Sequence, residues 1–311
     1  MSWRASDMPD LHGRSALVTG VTGGLGHHTA LELARAGAHV ILTGRNERKL
    51  ADSARAITDA LDDADLATVQ LDLADLSNVR RGAEQVLDRT GSTGSLDILV
   101  NNAGVMATPY RRTADGFELQ LGTNHLGHFA LTGLLFPALT NARVVTVTSL
   151  MHRTVRRVPL DDPRMERSYH RWPAYSASKL ANLQFALELG RRAQAAGLAL
   201  TSVAAHPGFT ATELQTTGPQ LGGSSLWARV LAAATPVVGQ SAAAGALPTL
   251  YAATTPDLPG GTLVGPSQML GLHGAPKLTG MSGAARDPVA AAKLWKMSEA
   301  TTGVTFLSCV T

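Results

Sequence analysis

Short apolar runs alternate along most of the chain with longer segments whose apolar residues recur at helical spacing. The runs predict seven strands, at residues 15–19, 39–43, 67–71, 96–100, 142–149, 198–205 and 261–265. The longest helical patterns cover residues 117–139 and 175–196. Strands that alternate with helices in this way favour a parallel sheet with right-handed crossovers. We therefore predict an α/β fold built on one doubly wound, seven-stranded parallel sheet.

The C-terminal third departs from this alternation. Residues from about 210 to 240 are rich in Gly, Ser, Thr and Pro around one apolar piece, LWARVLAAA. This composition suits a mobile substrate lid over the carboxyl edge of the sheet. Residues 256–311 form a predicted C-terminal extension that ends in a helix near 288–300. No linker separates two cores, so we expect a single domain over residues 1–311.

Composition narrows the classes of function. The chain has 311 residues, 44% of them hydrophobic, and one cysteine, Cys309, so no internal disulfide is expected and a cytoplasmic location is predicted. No run of 18 uninterrupted apolar residues predicts a membrane span, and the mixed-charge N-terminus is not typical of a signal peptide. The net charge is +3 and the basic residues are largely scattered, which argues against nucleic-acid binding. Ten histidines show no metal-ligand spacing, so no metal site is predicted.

A glycine-rich turn follows the first predicted strand. The sequence TGVTGGLG lies between residues 15–19 and a segment with helical periodicity. Gly20, Gly24 and Gly26 would let the backbone approach a pyrophosphate, whose charge the N-terminus of the next helix stabilises. The spacing is T-G-x-x-x-G-x-G rather than G-x-G-x-x-G, and a plain glycine turn is the alternative. In its strand-turn-helix context, the motif indicates a dinucleotide site in a fold of the Rossmann type.

The end of the second predicted strand bears on the choice of cofactor. NAD-selective sites place an acidic residue there, whereas an arginine accommodates the 2′-phosphate of NADP. Gly44 occupies the acid position and Arg45 follows it, with Arg48 and Lys49 one turn later. The pattern favours NADP, with NAD use left open. The alternative is that these cations are only a solvated helix start.

The next two strand ends carry further candidates. Asp72 and Leu73 follow the third strand, where Asp72 would either accept a hydrogen bond from adenine or cap the helix that begins near Leu76. The fourth strand runs into the sequence NNAG at 101–104. Small residues there fit close passage of a cofactor, although an ordinary turn would also use them.

A tyrosine and a lysine in the sequence YSASK suggest proton-transfer chemistry. Tyr175 and Lys179 are four residues apart on one predicted helix face. A nearby ammonium favours the phenolate, so we expect this charge and that of a positive cofactor ring to lower the pKa of Tyr175 from about 10 towards neutrality. Ser149 ends the fifth strand on the same side of the sheet, and Asn124 interrupts an apolar helix that it would kink. Alone, the pair is common on solvated surface helices.

Taken in order, TGVTGGLG, NNAG, Asn124, Ser149, YSASK and the PG turn at 207–208 resemble the short-chain dehydrogenase/reductase superfamily over almost the whole chain. Within it, NHLGHF, YSASKLANLQF and HPGFTATEL are similar to the retinol-dehydrogenase-like branch, which includes WW-domain oxidoreductases and protochlorophyllide reductase relatives. Ser149 and Tyr175 are 26 residues apart (175 minus 149), longer than in the shortest members of the superfamily.

The resemblance implies roles for individual residues. Tyr175 would be the general acid/base, and Lys179 would lower its pKa and bind the nicotinamide ribose. Ser149 would donate to the substrate oxygen, and Asn124 would hold a water that links Lys179 to solvent. The implied cofactor-binding residues are Gly20, Thr22, Gly24, Leu25, Gly26, Arg45, Asp72, Leu73, Asn102, Ala103, Gly104, Tyr175, Lys179, Pro207, Gly208, Thr210 and Thr212.

The expected function is an NADP(H)-dependent oxidoreductase that transfers a hydride between nicotinamide and a carbonyl or alcohol. Apolar side chains around the lid suggest an apolar substrate, namely Phe209, Leu214, Leu221 and Trp227. An NADP-binding sensor without turnover is the alternative from another class. A sugar-nucleotide epimerase is a third hypothesis, though those relatives use a different glycine spacing.

Two further expectations concern surfaces. The resemblance implies a homodimer or homotetramer packed through the helices that contain Asn124 and Tyr175. The arginine-rich segment 153–171 is either a solvated excursion or an anion-binding patch.

Overall fold

The computed structural model describes residues 2–90, 94–210 and 240–307. Eight strands form one sheet in the order β3-β2-β1-β4-β5-β6-β7-β8. The first seven are parallel, which confirms the predicted doubly wound sheet, and β8 runs antiparallel to β7. The strands are β1 Ser15–Thr19, β2 His39–Gly44, β3 Leu66–Gln70, β4 Ile98–Asn101, β5 Arg143–Val147, β6 Thr201–Ala205, β7 Leu263–Gln268 and β8 His273–Leu278.

The eighth strand was not predicted, so the strand count of seven is corrected to eight. Its sequence, HGAPKL, contains a glycine and a proline, both of which are depleted in strands. Proline is tolerated on an edge strand because no partner needs its missing N–H. Pro276 lies opposite Pro266 across the β7–β8 pair, at the outer edge of the sheet. Strand β8 therefore lacks the continuous apolar sequence that is typical of a central strand.

The helices are α1 Gly24–Arg35, α2 Glu47–Thr58, α3 Leu76–Leu87, α4 Leu119–Leu121, α5 Gly127–Leu134, α6 Arg171–Ala195, α7 Ala242–Thr254 and α8 Pro288–Thr302. The helix predicted over residues 117–139 is broken by a π-helical stretch, Gly122–Leu126, which contains Asn124. Among the described residues, no helix is both long and apolar enough to cross a membrane. The predicted lid lies outside the described residues except at Thr210 and Gln240, which form an isolated bridge.

The core lies on both faces of the sheet because strand side chains alternate between two apolar layers. In β1, Leu17 packs with α3, α5, α6 and α8 on one face, whereas its neighbours Ala16 and Val18 pack with α1, α2 and α7 on the other. All five residues of β1 are buried. A strand covered on both faces reads as a continuous apolar run, which is why these strands were predictable from sequence.

Helix α8 covers one face of α5 and α6. The Trp295 ring centroid lies 5.1 Å from that of Phe129 in α5 and 5.8 Å from that of Phe185 in α6. Arg192 of α6 places its guanidinium carbon 4.5 Å from the Trp295 ring centroid and pairs with the buried carboxylate of Glu188. This aromatic face is therefore packed within the chain, although the predicted oligomer would have used these two helices.

Three buried histidines should make the fold sensitive to acid. Burial lowers the pKa of His125 to about 3, and those of His128 and His206 to about 4. Between these values and about 6.5 the unfolded chain binds more protons than the folded chain, so stability is present above about pH 6.5 and is lost as the pH falls. Each histidine contributes up to about 1.4 kcal/mol per pH unit in that window.

We expect His125→Leu to reduce the slope of unfolding free energy against pH by about one proton, measured by urea unfolding between pH 7 and pH 4.5. The change Leu270→Ala, at an exposed position that does not titrate, is the control and should leave the slope unaltered. An unchanged slope in His125→Leu would contradict the assignment of a neutral His125 in the folded chain.

Candidate active site

The glycine turn after β1 is packed too closely for side chains. Gly20 has φ +74°, and a Cβ there would lie 2.9 Å from the Cα of Ala103. A Cβ on Gly26 would lie 2.3 Å from the carbonyl oxygen of Gly20 and 2.6 Å from Nδ2 of Asn102. The turn thus requires glycine at both positions, and the backbone is left bare where a phosphate would approach.

The N-terminus of α1 has no capping side chain. Its N-cap, Gly23, makes no side-chain hydrogen bond to the helix, whereas Asn46, Asp75, Ser241 and Asp287 cap α2, α3, α7 and α8. The first amides of α1 are therefore available to the oxygens of an anion. Together with the glycines, they fit the pyrophosphate of a dinucleotide.

Thr22, Leu25 and Thr210 flank this turn. A Cβ on Gly44 would lie 2.6 Å from Cγ2 of Thr22, which places Thr22 against the end of β2. A Cβ on Gly245 would lie 2.5 Å from Oγ1 of Thr210 and 2.8 Å from Cδ2 of Leu25. Helix α7 therefore brings the loop after β6 next to the start of α1, as the predicted cofactor site requires.

The end of β2 presents an exposed cationic group. Arg45 is exposed, and its carbonyl oxygen accepts a hydrogen bond of 3.1 Å from Nε2 of Gln70. Arg48 and Lys49 are exposed in the first turn of α2. Within the described ranges no carboxylate forms an ion pair with any of these three residues. Their charges remain available to an anionic ligand.

The structure decides one of the alternatives for Asp72. Asp75 caps α3, since its side chain accepts from the backbone amides of Ser77 and Asn78. Asp72 instead holds the turn after β3, with Oδ1 accepting from the amide of Ala74 at 2.9 Å. The helix-cap interpretation of Asp72 is wrong. The next residue, Leu73, is buried against the backbone of Gly127, where a Cβ would lie 2.4 Å from the Leu73 carbonyl oxygen.

The loop after β4 is tied to the end of β1. The backbone amides of Asn102 and Ala103 both donate to Oγ1 of Thr19 at 2.9 Å, and Nδ2 of Asn102 donates to the Thr19 carbonyl at 2.7 Å. A Cβ on Gly104 would lie 3.1 Å from Oδ1 of Asn124 and 3.5 Å from Nζ of Lys179. The loop therefore contacts the glycine turn at one end and the lysine at the other.

Asn124 joins this loop to α6. Its Oδ1 accepts from the amide of Val105 at 2.7 Å, and its Nδ2 donates to the Val105 carbonyl and to Oγ of Ser178, both at 2.9 Å. The apolar helix predicted around Asn124 is interrupted by the π-helical stretch, and the kink stays a prediction. The predicted relay water at Asn124 stays a prediction.

His128 completes a hydrogen-bonded chain that the sequence reasoning missed. Its Nδ1 lies 2.9 Å from the Asn124 carbonyl oxygen, which can only accept, so Nδ1 carries the proton. Nε2 must then accept from the Thr19 hydroxyl, also at 2.9 Å. Burial keeps the imidazole neutral, with its pKa lowered to about 4. The i, i+4 spacing of Asn124 and His128 was the available sequence signal.

Ser149, Tyr175 and Lys179 meet at the ends of β5 and α6. Nζ of Lys179 lies 5.8 Å from the centroid of the Tyr175 ring, and the Ser149 side chain is near enough to lower the pKa of the phenol. Nζ donates to the carbonyl of Val147 at 3.2 Å. Tyr175 is 5% exposed and Lys179 3% exposed. The predicted juxtaposition of the three side chains is thus present in the fold.

The expected lowering of the Tyr175 pKa is wrong for the chain alone. Burial raises the pKa of Tyr175 to about 12, against a smaller lowering by the hydrogen bond from Ser149. Burial also lowers the pKa of Lys179 to about 8. The ammonium is directed at the Val147 carbonyl rather than at the phenol oxygen, so desolvation of the phenolate dominates.

The PG turn follows β6. Gly208 has φ +72°, and a Cβ there would lie 2.4 Å from the carbonyl oxygen of Leu272. The amide of Phe209 donates to that same carbonyl at 3.0 Å, and Oγ1 of Thr210 donates to the Pro207 carbonyl at 3.0 Å. The turn is thereby attached to the loop between β7 and β8. Thr212 lies outside the described residues.

Several charged side chains of the arginine-rich segment 153–171 form ion pairs or hydrogen bonds with neighbouring residues. Arg167 pairs with Asp161 at 2.9 Å, and Glu166 pairs with Arg112 at 2.9 Å. Arg153 donates to the carbonyl of Gly280 at 2.6 Å. These local contacts favour the solvated excursion over an anion-binding patch.

The geometry combines a proton donor, a buried cation and an anion-binding helix start at one edge of the sheet. A model of the short chain dehydrogenase family matches residues 14–220. The chain belongs to the short-chain dehydrogenase family. Its glycine turn and the uncapped N-terminus of α1 fit a dinucleotide cofactor.

Similar proteins show to which branch of the family the chain belongs. Human retinol dehydrogenase 12 is 42% identical over 207 residues, which cover 66% of this chain and 64% of that protein. The match thus spans less than two thirds of the length of that relative. An uncharacterized oxidoreductase of Schizosaccharomyces pombe, C736.13, is 36% identical over 268 residues, 82% of this chain and 76% of that protein. The chain lies in the retinol-dehydrogenase-like branch.

Solved structures agree with the fold. A crystal structure of an uncharacterized protein from Mycobacterium paratuberculosis is 43% identical, covers 98% of this chain and 99% of that chain, and superposes with a TM-score of 0.79. A structure described as an NAD(P) dependent gluconate 5-dehydrogenase from Beutenbergia cavernae, with bound NADP, is 27% identical. It covers 79% of this chain and 91% of that chain, with a TM-score of 0.58.

Replacing the buried lysine should stabilise the chain without cofactor. Because the folded pKa of Lys179 is lowered to about 8, folding at pH 7 carries the cost of burying a charge. The Val147 carbonyl would keep its 3.1 Å hydrogen bond from Nδ2 of Asn182. We expect Lys179→Met to raise the free energy of unfolding at pH 7 by about 1–3 kcal/mol.

Urea unfolding of the cofactor-free protein measures this effect, with the exposed Lys293→Met as the matched control. The gain should shrink above about pH 8, where the folded lysine deprotonates. A loss of stability in Lys179→Met at pH 7 would show that the ammonium is a net structural contact.

Proposed function

We propose that the chain is an NADP(H)-dependent oxidoreductase that interconverts an apolar carbonyl compound and its alcohol, with Tyr175 as general acid/base. The observation that carries the proposal is the position of the buried Lys179, whose Nζ lies 5.8 Å from the centroid of the Tyr175 ring, with the Ser149 side chain next to the phenol. These side chains lie at the same edge of the sheet as the glycine turn. Gly104 connects the two regions through its close approach to Lys179.

The proposed roles follow from the positions of the polar atoms. NADPH supplies the hydride to the carbonyl carbon. The Tyr175 hydroxyl gives its proton to the carbonyl oxygen, and the Ser149 hydroxyl donates a hydrogen bond to the same oxygen. The proton that Tyr175 gives up is replaced from solvent through Lys179 and a water that Asn124 would hold. In alcohol oxidation each proton moves in the opposite direction.

Burial sets the protonation states that this scheme uses. With its pKa raised to about 12, Tyr175 is a neutral phenol at pH 7 and can donate a proton. With a pKa of about 8, Lys179 can exchange its proton near neutral pH. Carbonyl reduction therefore requires no prior ionisation of Tyr175.

The choice of an apolar substrate and of NADP rests on separate observations. Several relatives are named retinol dehydrogenases, after an apolar alcohol. Arg45 is exposed at the end of β2, beside Gly44, where a side chain would meet Thr22. An acidic residue at position 44 would crowd that threonine, which supports NADP over NAD. The B. cavernae structure contains NADP.

The central test removes the phenol oxygen. We expect Tyr175→Phe to bind NADPH with unchanged affinity and to lose at least about 1,000-fold in kcat, because a proton donor and its hydrogen bond are removed together. Turnover is followed by NADPH absorbance with a panel of aldehydes and ketones. Tyr251→Phe, on α7, is the matched control and should keep wild-type rates.

Two results would contradict the proposal. Full activity in Tyr175→Phe would exclude Tyr175 as the acid/base. Tight NADPH binding by wild-type protein that reduces no carbonyl in the panel would favour the alternative, an NADP-binding sensor without turnover.

Cofactor preference is tested at Arg45. We expect Arg45→Ala to weaken NADPH binding about 10-fold to 100-fold, because one charge-assisted contact to a phosphate is lost, and to change NADH binding less than about twofold. Titration of nicotinamide fluorescence gives both dissociation constants. Arg55→Ala removes an exposed arginine that is paired with Asp52, and should alter neither. Equal losses for NADPH and NADH would contradict a role at the 2′-phosphate.

We further propose that any homodimer or homotetramer uses a surface other than the aromatic face of α5 and α6. That face is packed against α8, through Phe129, Phe185 and Trp295. The predicted cytoplasmic location stays a prediction.

A further inference from the structure

The catalytic tyrosine has an exposed tryptophan one turn before it on the same helix. Trp172 is 36% exposed, and its ring centroid lies 6.4 Å from that of Tyr175 at an interplanar angle of 84°. Residues at i and i+3 share a helix face, so Trp172, Tyr175 and Lys179 form one row along α6. Tyr175 is the middle member of that row.

The two neighbours of Tyr175 face different surroundings. Lys179 is 3% exposed, and its ammonium approaches Gly104 of the loop after β4, which belongs to the proposed cofactor site. Trp172 lies on the other side along the helix axis and is open to solvent. A substrate that reaches the Tyr175 hydroxyl from the exposed end of this row would contact the indole.

The first turn of α6 is fixed although its N-cap residue makes no side-chain hydrogen bond to it. The buried Gln120 donates through Nε2 to the Arg171 carbonyl and to the Tyr169 hydroxyl, both at 2.9 Å. Its Oε1 accepts from the amide of Ala107 at 2.8 Å, and Tyr169 donates to the Thr108 carbonyl at 2.6 Å. The backbone beneath Trp172 is thus attached at several points to the loop after β4.

We propose that Trp172 is a specificity-determining residue that selects planar, conjugated carbonyl substrates by packing against them. A rigidly mounted indole presents a flat apolar surface at low entropic cost. Aromatic pairs contribute beyond the area that they bury, whereas a flexible alkyl chain gains only from burial. The inference rests on the proposed function, since it names the substrate class of the same site.

The test compares 2-naphthaldehyde with decanal, an apolar aldehyde of similar size that is not planar. We expect Trp172→Leu to lower kcat/KM for 2-naphthaldehyde about fivefold to tenfold, mainly through KM, and to change decanal less than about twofold. Trp172→Phe keeps an aromatic ring and should retain most of the preference. Alcohol products are quantified by chromatography with NADPH in excess, and the thermal midpoint of each variant verifies folding.

The control is Val289→Ala, since Val289 is an apolar residue on α8 that is 61% exposed. This variant should leave kcat/KM for both substrates unchanged. Equal losses for the two aldehydes in Trp172→Leu, or no loss for either, would overturn the inference.

A binding measurement separates this inference from the proposed function. In the Tyr175→Phe background with NADPH present, calorimetry should show that Trp172→Leu weakens binding of 2-naphthaldehyde by the same factor and leaves decanal nearly unchanged. If wild-type protein reduces neither aldehyde but this difference in binding persists, the proposed function fails and the role of Trp172 stands. If both aldehydes are reduced with no dependence on Trp172, the function stands and the inference fails.

Discussion

A buried ammonium is the constraint on which the site depends. Lys179 is 3% exposed, and within the protein its charge is met by a backbone carbonyl, that of Val147. The helix that carries it is held at the same point from the strand side, because Oγ1 of Thr148 donates to the Lys179 carbonyl at 2.7 Å. A charge kept in this way lowers the stability of the free protein and stays ready for ligand groups. The cofactor-free state is therefore an incomplete form of the site.

Hydrogen bonds connect the other parts of the site to the helix that carries Lys179. Thr19, His128 and Asn124 form one hydrogen-bonded chain from the end of β1 to the π-helical stretch. The Asn124 amide continues that chain to Val105 and, through Ser178, to α6. The glycine turn, the loop after β4 and the helix with Tyr175 are thus linked by hydrogen bonds. Such preorganisation is what positions a proton donor relative to a bound cofactor.

Sequence predicted the parts of the fold that follow local rules. Most of the parallel strands are apolar on both faces, the edge strand β3 excepted, so their positions and the residues at their carboxyl ends could be read directly. Strand β8 could not, because Pro276 and Gly274 oppose a strand assignment that only an edge position permits. The cover of α5 and α6 by Trp295 was equally hidden, since it joins segments far apart in the chain.

In the candidate site, too, the sequence predicted some features and not others. The residue types and their order predicted which side chains meet, and Ser149, Tyr175 and Lys179 do meet. The raised pKa of Tyr175 in the chain without cofactor was not predicted, because it depends on where the ammonium points and on how deeply the phenol is buried. The spacing of residues in the sequence gives neither the direction of the ammonium nor the burial of the phenol. Asp72 and Asp75 illustrate the limit at smaller scale, since either could cap α3 by position and only Asp75 does.

The most direct measurement of this account is the ionisation of Tyr175 with and without NADP⁺, read as the difference in phenolate absorbance between wild type and Tyr175→Phe. Without cofactor, the pKa of about 12 predicts no Tyr175 phenolate below about pH 10. With NADP⁺ bound, its positive charge adds to that of Lys179, and we predict a Tyr175 phenolate at least about two pH units lower. Identical titrations in the two states would contradict the claim that the buried cation and the cofactor together activate the tyrosine.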